Sequence, residues 1–194
     1  MKQKLLFLTV LLLLCVGCFR AQAQKVAIKT NLLYGAATFT PNLGLELGLG
    51  PRSTLELSGG YNPWNLQGTI DNNNKLVHWL GHVEYRWWNC QKFNGHFLGA
   101  HLLGSQYNIS GKDIPLLFDN AYRYEGWAAG AGVSWGYHWI MSGRFSMEFT
   151  LGAGYAYLEY GRYNCAKCST LDGNYFKHYV GPTKAGISLI FMIK

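Results

Sequence analysis

An eight-stranded antiparallel up-and-down transmembrane β-barrel of the outer-membrane type is the fold class this sequence predicts, and three observations predict it. The first is the segment Phe145-Ser-Met-Glu-Phe-Thr-Leu-Gly-Ala-Gly-Tyr-Ala-Tyr157, in which odd positions are apolar or aromatic and even positions are small or polar. A period of two is the mark of a strand, because successive side chains point to opposite faces. The small face carries Glu148 and is too polar for a soluble core, while the bulky face ends in tyrosines. A strand with lipid outside and a polar interior has this inverted pattern. The second observation is loop length. After the first hairpin, connections alternate short (50–53, 89–95, 140–144) and long (62–75, 110–125, 159–177), as expected for periplasmic turns and external loops. The third is two sets of outward aromatics: Trp87, Trp139, Phe145 and Phe191 at one edge, Tyr34, Tyr61, Trp127 and Tyr155 near the other. Amphipathic rings favour the two membrane interfaces.

Composition agrees. Aromatic residues make up 15% of the 194 residues and charged residues only 14%, against about a quarter charged in an ordinary soluble domain. A soluble lipocalin-like barrel or sandwich would need the large residues inside and Gly, Ser and Glu outside, with tryptophans crowding a small core.

The N-terminus reads as a signal peptide over 1–23. It has basic Met-Lys-Gln-Lys, apolar Leu5 to Val16, and Ala21-Gln22-Ala23 as an A-x-A cleavage site. The apolar run is shorter than the roughly twenty residues of a spanning helix. Val16-Gly17-Cys18 offers a rival lipobox-like end, although Cys15 stands where Leu is usual. Cleavage before Gln24 removes Lys2, Lys4 and Arg20 and no acid, taking the net charge from +7 to +4. The remaining Lys and Arg are scattered, so no nucleic-acid patch is expected. The barrel domain is then 24–194.

The elements follow in order. The first strand, about Lys25 to Tyr34, puts Val26, Ile28, Thr30, Leu32 and Tyr34 outward and Lys29 and Asn31 inward. The second alternates Leu43, Leu45, Leu47 and Leu49 against Gly44, Glu46 and Gly48. Gly50-Pro51-Arg52-Ser53 is a tight turn. The third sets Leu55, Leu57 and Tyr61 against Glu56 and Ser58, and a polar loop runs from Asn62 to Lys75. The fourth has Val77, Trp79, Val83, Tyr85 and Trp87 on one face and His78, His82, Glu84 and Arg86 on the other. The fifth, His96 to Tyr107, alternates poorly. The sixth sets Trp127, Val133, Trp135, Tyr137 and Trp139 against Gly130, Gly132, Ser134 and Gly136. Met141 to Arg144 turns into the seventh strand quoted above. The eighth carries Ala185, Ile187, Leu189, Phe191 and Ile193 outward.

The expected interior polar network is Lys29, Glu46, Glu56, His78, His82, Glu84, Arg86, Glu148 and Lys184. Buried charges persist when paired and hydrogen-bonded, so these residues are read as a salt-bridge plug rather than an ion path. Eight strands leave little free bore. His78 and His82 lie four apart on one strand, about 14 Å by the strand rise, too far to share a metal. His101 and Ser105 are at the same spacing, which denies a hydrolase base the reach to its nucleophile. Neither catalytic residues nor a cofactor nor a metal site is expected.

Cys165-Ala-Lys-Cys168 is half of a zinc motif with the other half missing. A loop disulfide suits an oxidising compartment better. Cys90 falls at the opposite membrane edge from that pair. Trp64, Leu66, Ile70, Leu116, Leu117, Phe118, Tyr122 and Tyr124 in the long loops read equally as a binding surface or as compact packing.

Lys29-Thr-Asn-Leu-Leu-Tyr34, Thr40-Pro-Asn-Leu-Gly-Leu-Glu46, Gly95-His-Phe-Leu-Gly99, Gly126 to Tyr137, Leu151-Gly-Ala-Gly-Tyr155 and Gly181-Pro-Thr-Lys-Ala185 together resemble a small outer-membrane barrel family, domain of unknown function 3575. The resemblance spans essentially the whole mature chain. It implies a shape like the barrel half of outer-membrane protein A, and a frequent neighbourhood of fimbrial genes that implies a role in pilus display. The family has no assigned catalytic residues to carry over. The Cys165–Cys168 loop and the Asn-rich loop at 71–74 look like this chain's own variations. The expected function is therefore a non-enzymatic, monomeric outer-membrane protein with a structural or interaction role. Its surroundings would be outer-membrane lipid, and its partners fimbrial or other cell-surface proteins met through the external loops. A lipid-modifying enzyme and a narrow pore are the alternatives.

Overall fold

The structure is a computed structural model and describes residues 26–68, 73–114, 117–164 and 170–193. The segment expected to be a signal peptide and the cysteines expected to form a loop disulfide, Cys165 and Cys168, lie outside the described residues. Among the described residues the elements are β1 (Val26–Asn31), α1 (Leu32–Thr38), β2 (Asn42–Gly48), β3 (Ser53–Asn62), β4 (Asn65–Gly68), β5 (Asn73–Trp88), β6 (Gly95–Ser110), β7 (Arg123–Ile140), β8 (Phe145–Tyr163) and β9 (Leu171–Ile193). Eight of these strands form an up-and-down antiparallel ring in sequence order. β4 is set aside on β5, and β1 pairs with β9 to close the circle.

The closure is staggered. A row of partners starting at Ile28 passes through Leu45, Leu57, Val83, Leu102, Ala131 and Tyr155 to Val180. Ile28 itself pairs with Phe191 on the same last strand. Such a slip around the circle requires strands tilted to the ring axis. Part of it is taken up at a bulge where Gly152 pairs with Lys184 and Ala153 with Pro182, leaving Thr183 extra. Pro182 has no N–H to give, and a bulge tolerates it.

The outward face is apolar: Leu43, Val83, Leu102, Val133 and Leu151 are all exposed. Trp87, Trp139, Phe145 and Phe191 ring one end, and Tyr61, Trp127 and Tyr155 lie toward the other, all exposed. The interior is layered. At the end with the short turns, Ala27, Trp88, Phe93, Phe97 and Ile190 form an apolar plug. Trp88 is fully buried and donates its indole N–H to Thr54 Oγ1 at 3.0 Å. Trp88→Ala should cost about 3–5 kcal/mol, read as an earlier urea midpoint for the folded protein. At the other end Tyr107, Ile109, Phe118, Tyr124, Ala156 and Leu158 form a second cluster.

Three sequence expectations need correction. β1 stops at Asn31, and 32–38 is helical rather than strand. Asn31 caps this helix by accepting from the Tyr34 N–H at 3.1 Å, a role short polar side chains fill well. Phe39 closes it in the left-handed region with φ 52°, and Pro41 prevents continuation. Tyr34, expected outward at the membrane edge, therefore turns inward, and its hydroxyl lies 2.6 Å from His78 Nε2.

The loop expected over 62–75 instead contains β4, paired with the start of β5 through Asn65–Lys75 and Gly68–Asn73. The loop expected over 159–177 is mostly ladder, because β8 runs on to Tyr163 and β9 begins at Leu171. Cross-strand pairs account for this: Tyr160 stacks with Tyr175, and Tyr157 with Phe176. Arg162 reaches Asp172 Oδ2 at 2.8 Å and holds that carboxyl below its usual range.

Candidate functional site

The centre of the ring is a buried charge cluster, and strand register explains how it arises. Glu46 on β2 stands directly opposite Glu56 on β3, and Glu56 opposite Glu84 on β5. Like charges opposed on adjacent strands destabilise a sheet unless something neutralises them. Arg86, two residues beyond Glu84 and so on the same face, supplies most of that. Its Nε donates to Glu84 at 2.7 Å, and its Nη1 to Glu46 at 3.0 Å and Glu148 at 2.9 Å. It also pairs with Glu56. A planar guanidinium with five N–H donors can bind several carboxylates at once, which a point-like ammonium cannot.

Lys29 enters from β1, 2.6 Å from Glu46, 2.9 Å from Glu56 and 3.1 Å from Glu148. Lys184 enters from β9, 2.9 Å from Glu56 and 2.7 Å from Glu84. Neutral groups complete the cluster. Thr54 donates to Glu46 at 2.5 Å and Thr150 to Glu148 at 3.0 Å, while Phe97 lies against the Arg86 guanidinium at 4.3 Å. Glycine makes the room: a Cβ on Gly99 would sit 2.6 Å from Glu84 Oε1, and one on Gly44 2.7 Å from Lys29 Cγ.

Four carboxylates meet three permanent cations, so one negative charge is formally uncompensated. Two histidines flank the cluster without hydrogen-bonding to it: His101 Nδ1 lies 3.9 Å from Glu84 and His138 Nδ1 3.8 Å from Glu148. Both histidines are fully buried.

Beyond the cluster lies a cavity of about 170 Å³ lined by Lys29, Asn31, Tyr34, His82, Thr183 and Lys184, among others. The bulge on β9 is what turns Thr183 to the interior beside Lys184, and Thr183 Oγ1 lies 2.8 Å from His101 Nε2. Among the described residues no group of three or more His, Cys, Asp and Glu is placed to hold a metal ion.

Of the nine interior residues read from the sequence, the structure brings Lys29, Glu46, Glu56, Glu84, Arg86, Glu148 and Lys184 into direct contact. His82 lines the cavity, its ring 5.9 Å from that of His101. His78 lies apart, bound to Tyr34. His101 and Ser105 are engaged separately: Ser105 Oγ donates to the Trp79 carbonyl at 2.7 Å.

The family profile of protein of unknown function (DUF3575) matches residues 9–193. The chain belongs to this family. No curated protein and no solved structure is detectably similar to it. A family protein with this interior would gain no activity from the fold alone, so its chemistry has to be argued from these contacts. Alternation missed Trp88, Phe97 and His138. Trp88 follows Trp87 immediately, and only the fixed parity of β5 separates the outward ring from the buried one. Cys90 is free and exposed in the β5–β6 turn. Of the loop hydrophobics, Phe118 and Tyr124 are packed away with Leu117 and Tyr122 against them, whereas Trp64 remains exposed.

Proposed function

We propose that this protein is an eight-stranded outer-membrane β-barrel, exported by its N-terminal signal. It acts as a monomeric, non-enzymatic structural or interaction component whose working surface is its external end. The observation that carries this reading is the inversion of the ring. The outer belt of Leu43, Val83, Leu102, Val133 and Leu151 is exposed and apolar, while Glu46, Glu84, Arg86 and Glu148 are wholly buried and mutually paired. Water would leave the first unburied and lipid covers it. The second needs a filled interior, as in small membrane barrels.

The filled interior also argues against the narrow-pore reading, because the charge cluster lies directly above the Trp88–Phe97 plug. Planar-bilayer recording is expected to show no discrete openings. Against the lipid-enzyme reading, His101 and Ser105 each satisfy a different partner. Alanine at either should leave the lipid A profile of the host unchanged.

The membrane reading is tested on the full chain in native envelopes. The protein should resist alkaline carbonate extraction and change gel mobility on heating. Extraction without a mobility change rejects the barrel. The interaction role is tested by crosslinking a tagged copy in intact membranes. Recovery of pilus subunits through loop positions would make it an assembly accessory, whereas recovery of lipid and abundant porins alone would reject that role.

A further inference from the structure

The wall of the ring is uneven. β5 to β9 are 16 to 23 residues long, and β1 to β3 only 6 to 10. Above the short strands the tall ones form an open curved sheet with two free edges. The chain covers the first edge itself, laying β4 along the start of β5. The second edge is β9. Its ladder with β1 ends at the pair Asn31–Ser188. Just above, Asn31 Nδ2 donates to the Ala185 carbonyl at 3.0 Å and α1 packs alongside.

From Leu171 to His178, among the described residues, β9 has β8 on one side and no strand on the other. A second bulge leaves Asp172 extra at the outer end, and from Gly173 to His178 every second residue directs its N–H and C=O to the open side. The usual protections of such an edge are diverted or lie at its ends. Asp172 is held by Arg162 at 2.8 Å, the Lys177 ammonium donates to the Leu117 carbonyl at 3.3 Å, and the bulges at Asp172 and beside Pro182 bound the regular stretch rather than interrupt it. Leu171 is 52% and Phe176 67% exposed.

We infer that this edge of β9 is a docking site for an extended segment of a second polypeptide. The segment would add as a strand, with apolar or aromatic side chains at alternate positions meeting Leu171 and Phe176. Main-chain hydrogen bonds supply such binding and alternate side chains its selectivity. The inference rests on the barrel reading above, which places this stretch outside lipid. That reading also excludes a second copy as the occupant. Two copies in one membrane share an orientation, and a two-fold axis along the membrane normal sets their β9 strands at twice the tilt of about 35–45°. Strands crossing so steeply cannot share a ladder.

The test uses the full chain in lipid nanodiscs and two synthetic peptides. One copies residues 155–163, the sequence that β9 accepts on its other edge. The second carries Leu158→Pro and Glu159→Pro, which removes donors from both of its edges. Residue-resolved amide exchange should find alternate amides fast between Gly173 and His178 in the protein alone. The first peptide should slow those amides by about tenfold or more, and the proline peptide should not. Uniformly slow amides without peptide would mean the edge is already covered and overturn the proposal. So would an absence of slowing by the first peptide, because main-chain pairing tolerates sequence. Equal slowing by both peptides would assign the effect to side-chain adhesion and overturn it as well. Failure of the chain to enter the nanodisc sinks the barrel reading, whereas insertion without the exchange response sinks strand addition alone.

Discussion

Arg86→Leu should cost about 3–5 kcal/mol, the range for removing one partner of a buried ion cluster. That is a large part of the 5–15 kcal/mol that holds a typical domain together. The substitution leaves Glu46, Glu56, Glu84 and Glu148 facing only Lys29 and Lys184, in an interior where the carboxylates are at most 3% exposed. Glu46 and Glu56, and Glu56 and Glu84, would then oppose one another across the ladder with far less compensation. The expected result is a urea midpoint shifted sharply downward in lipid vesicles, with loss of the heat-modifiable folded band. Arg86→Lys should fall between, since an ammonium keeps the charge and loses the fork. Adding Glu46→Leu to Arg86→Leu should recover part of the loss, because contacting residues do not act additively. An Arg86→Leu protein that unfolds at the wild-type urea concentration would show the cluster to be incidental. The cluster is better read as a specifier of register than as a store of stability. A one-residue slip in β3 or β5 would send its glutamate into the apolar belt.

Leu151→Arg separates membrane from water as the solvent of the outer face. Leu151 is 62% exposed, lies midway along β8, and pairs with Trp135 and Ala185. At the middle of a bilayer an arginine on a barrel exterior costs about 2–4 kcal/mol, falling to about 0–1 near the interface. On a protein facing water the same change should lie within about 0.5 kcal/mol of neutral. The expected outcome is a marked loss of folding in vesicles for Leu151→Arg and little change for Phe176→Arg, which lies toward the outer end of β9. Equal, small effects at both positions would reject lipid contact along the belt.

The period-two pattern was enough to read the strands of the ring and most of the interior charges, because alternation is a local property of each strand. Lys29, Glu46, Glu56, Glu84, Arg86, Glu148 and Lys184 each sit opposite an apolar neighbour in sequence, and parity alone sends them inward. The weakly alternating fifth strand was harder. Its inward face mixes Phe97 and His101 with Gly99 because the charge cluster needs space on that side. The α1 helix was missed because Asn31 continues the strand's parity before it caps the helix, and nothing in Leu32 to Thr38 alternates strongly enough to decide between the two. The ladder at 157–178 was missed because its tyrosines, glycines and charged residues resemble a loop until Tyr160 meets Tyr175 and Arg162 meets Asp172 across the strands.

By itself, then, the sequence determined which faces of the strands are greasy, which carry charge, and where the short turns fall, since these follow from nearest neighbours along one chain. Only the tertiary structure decided that three glutamates align across β2, β3 and β5 around one arginine, that Thr183 is turned inward at a bulge, and that β9 outruns β1 and keeps an open edge. Each of these depends on the stagger with which the ring closes. That stagger is a sum over every strand pair and has no signature in any single strand.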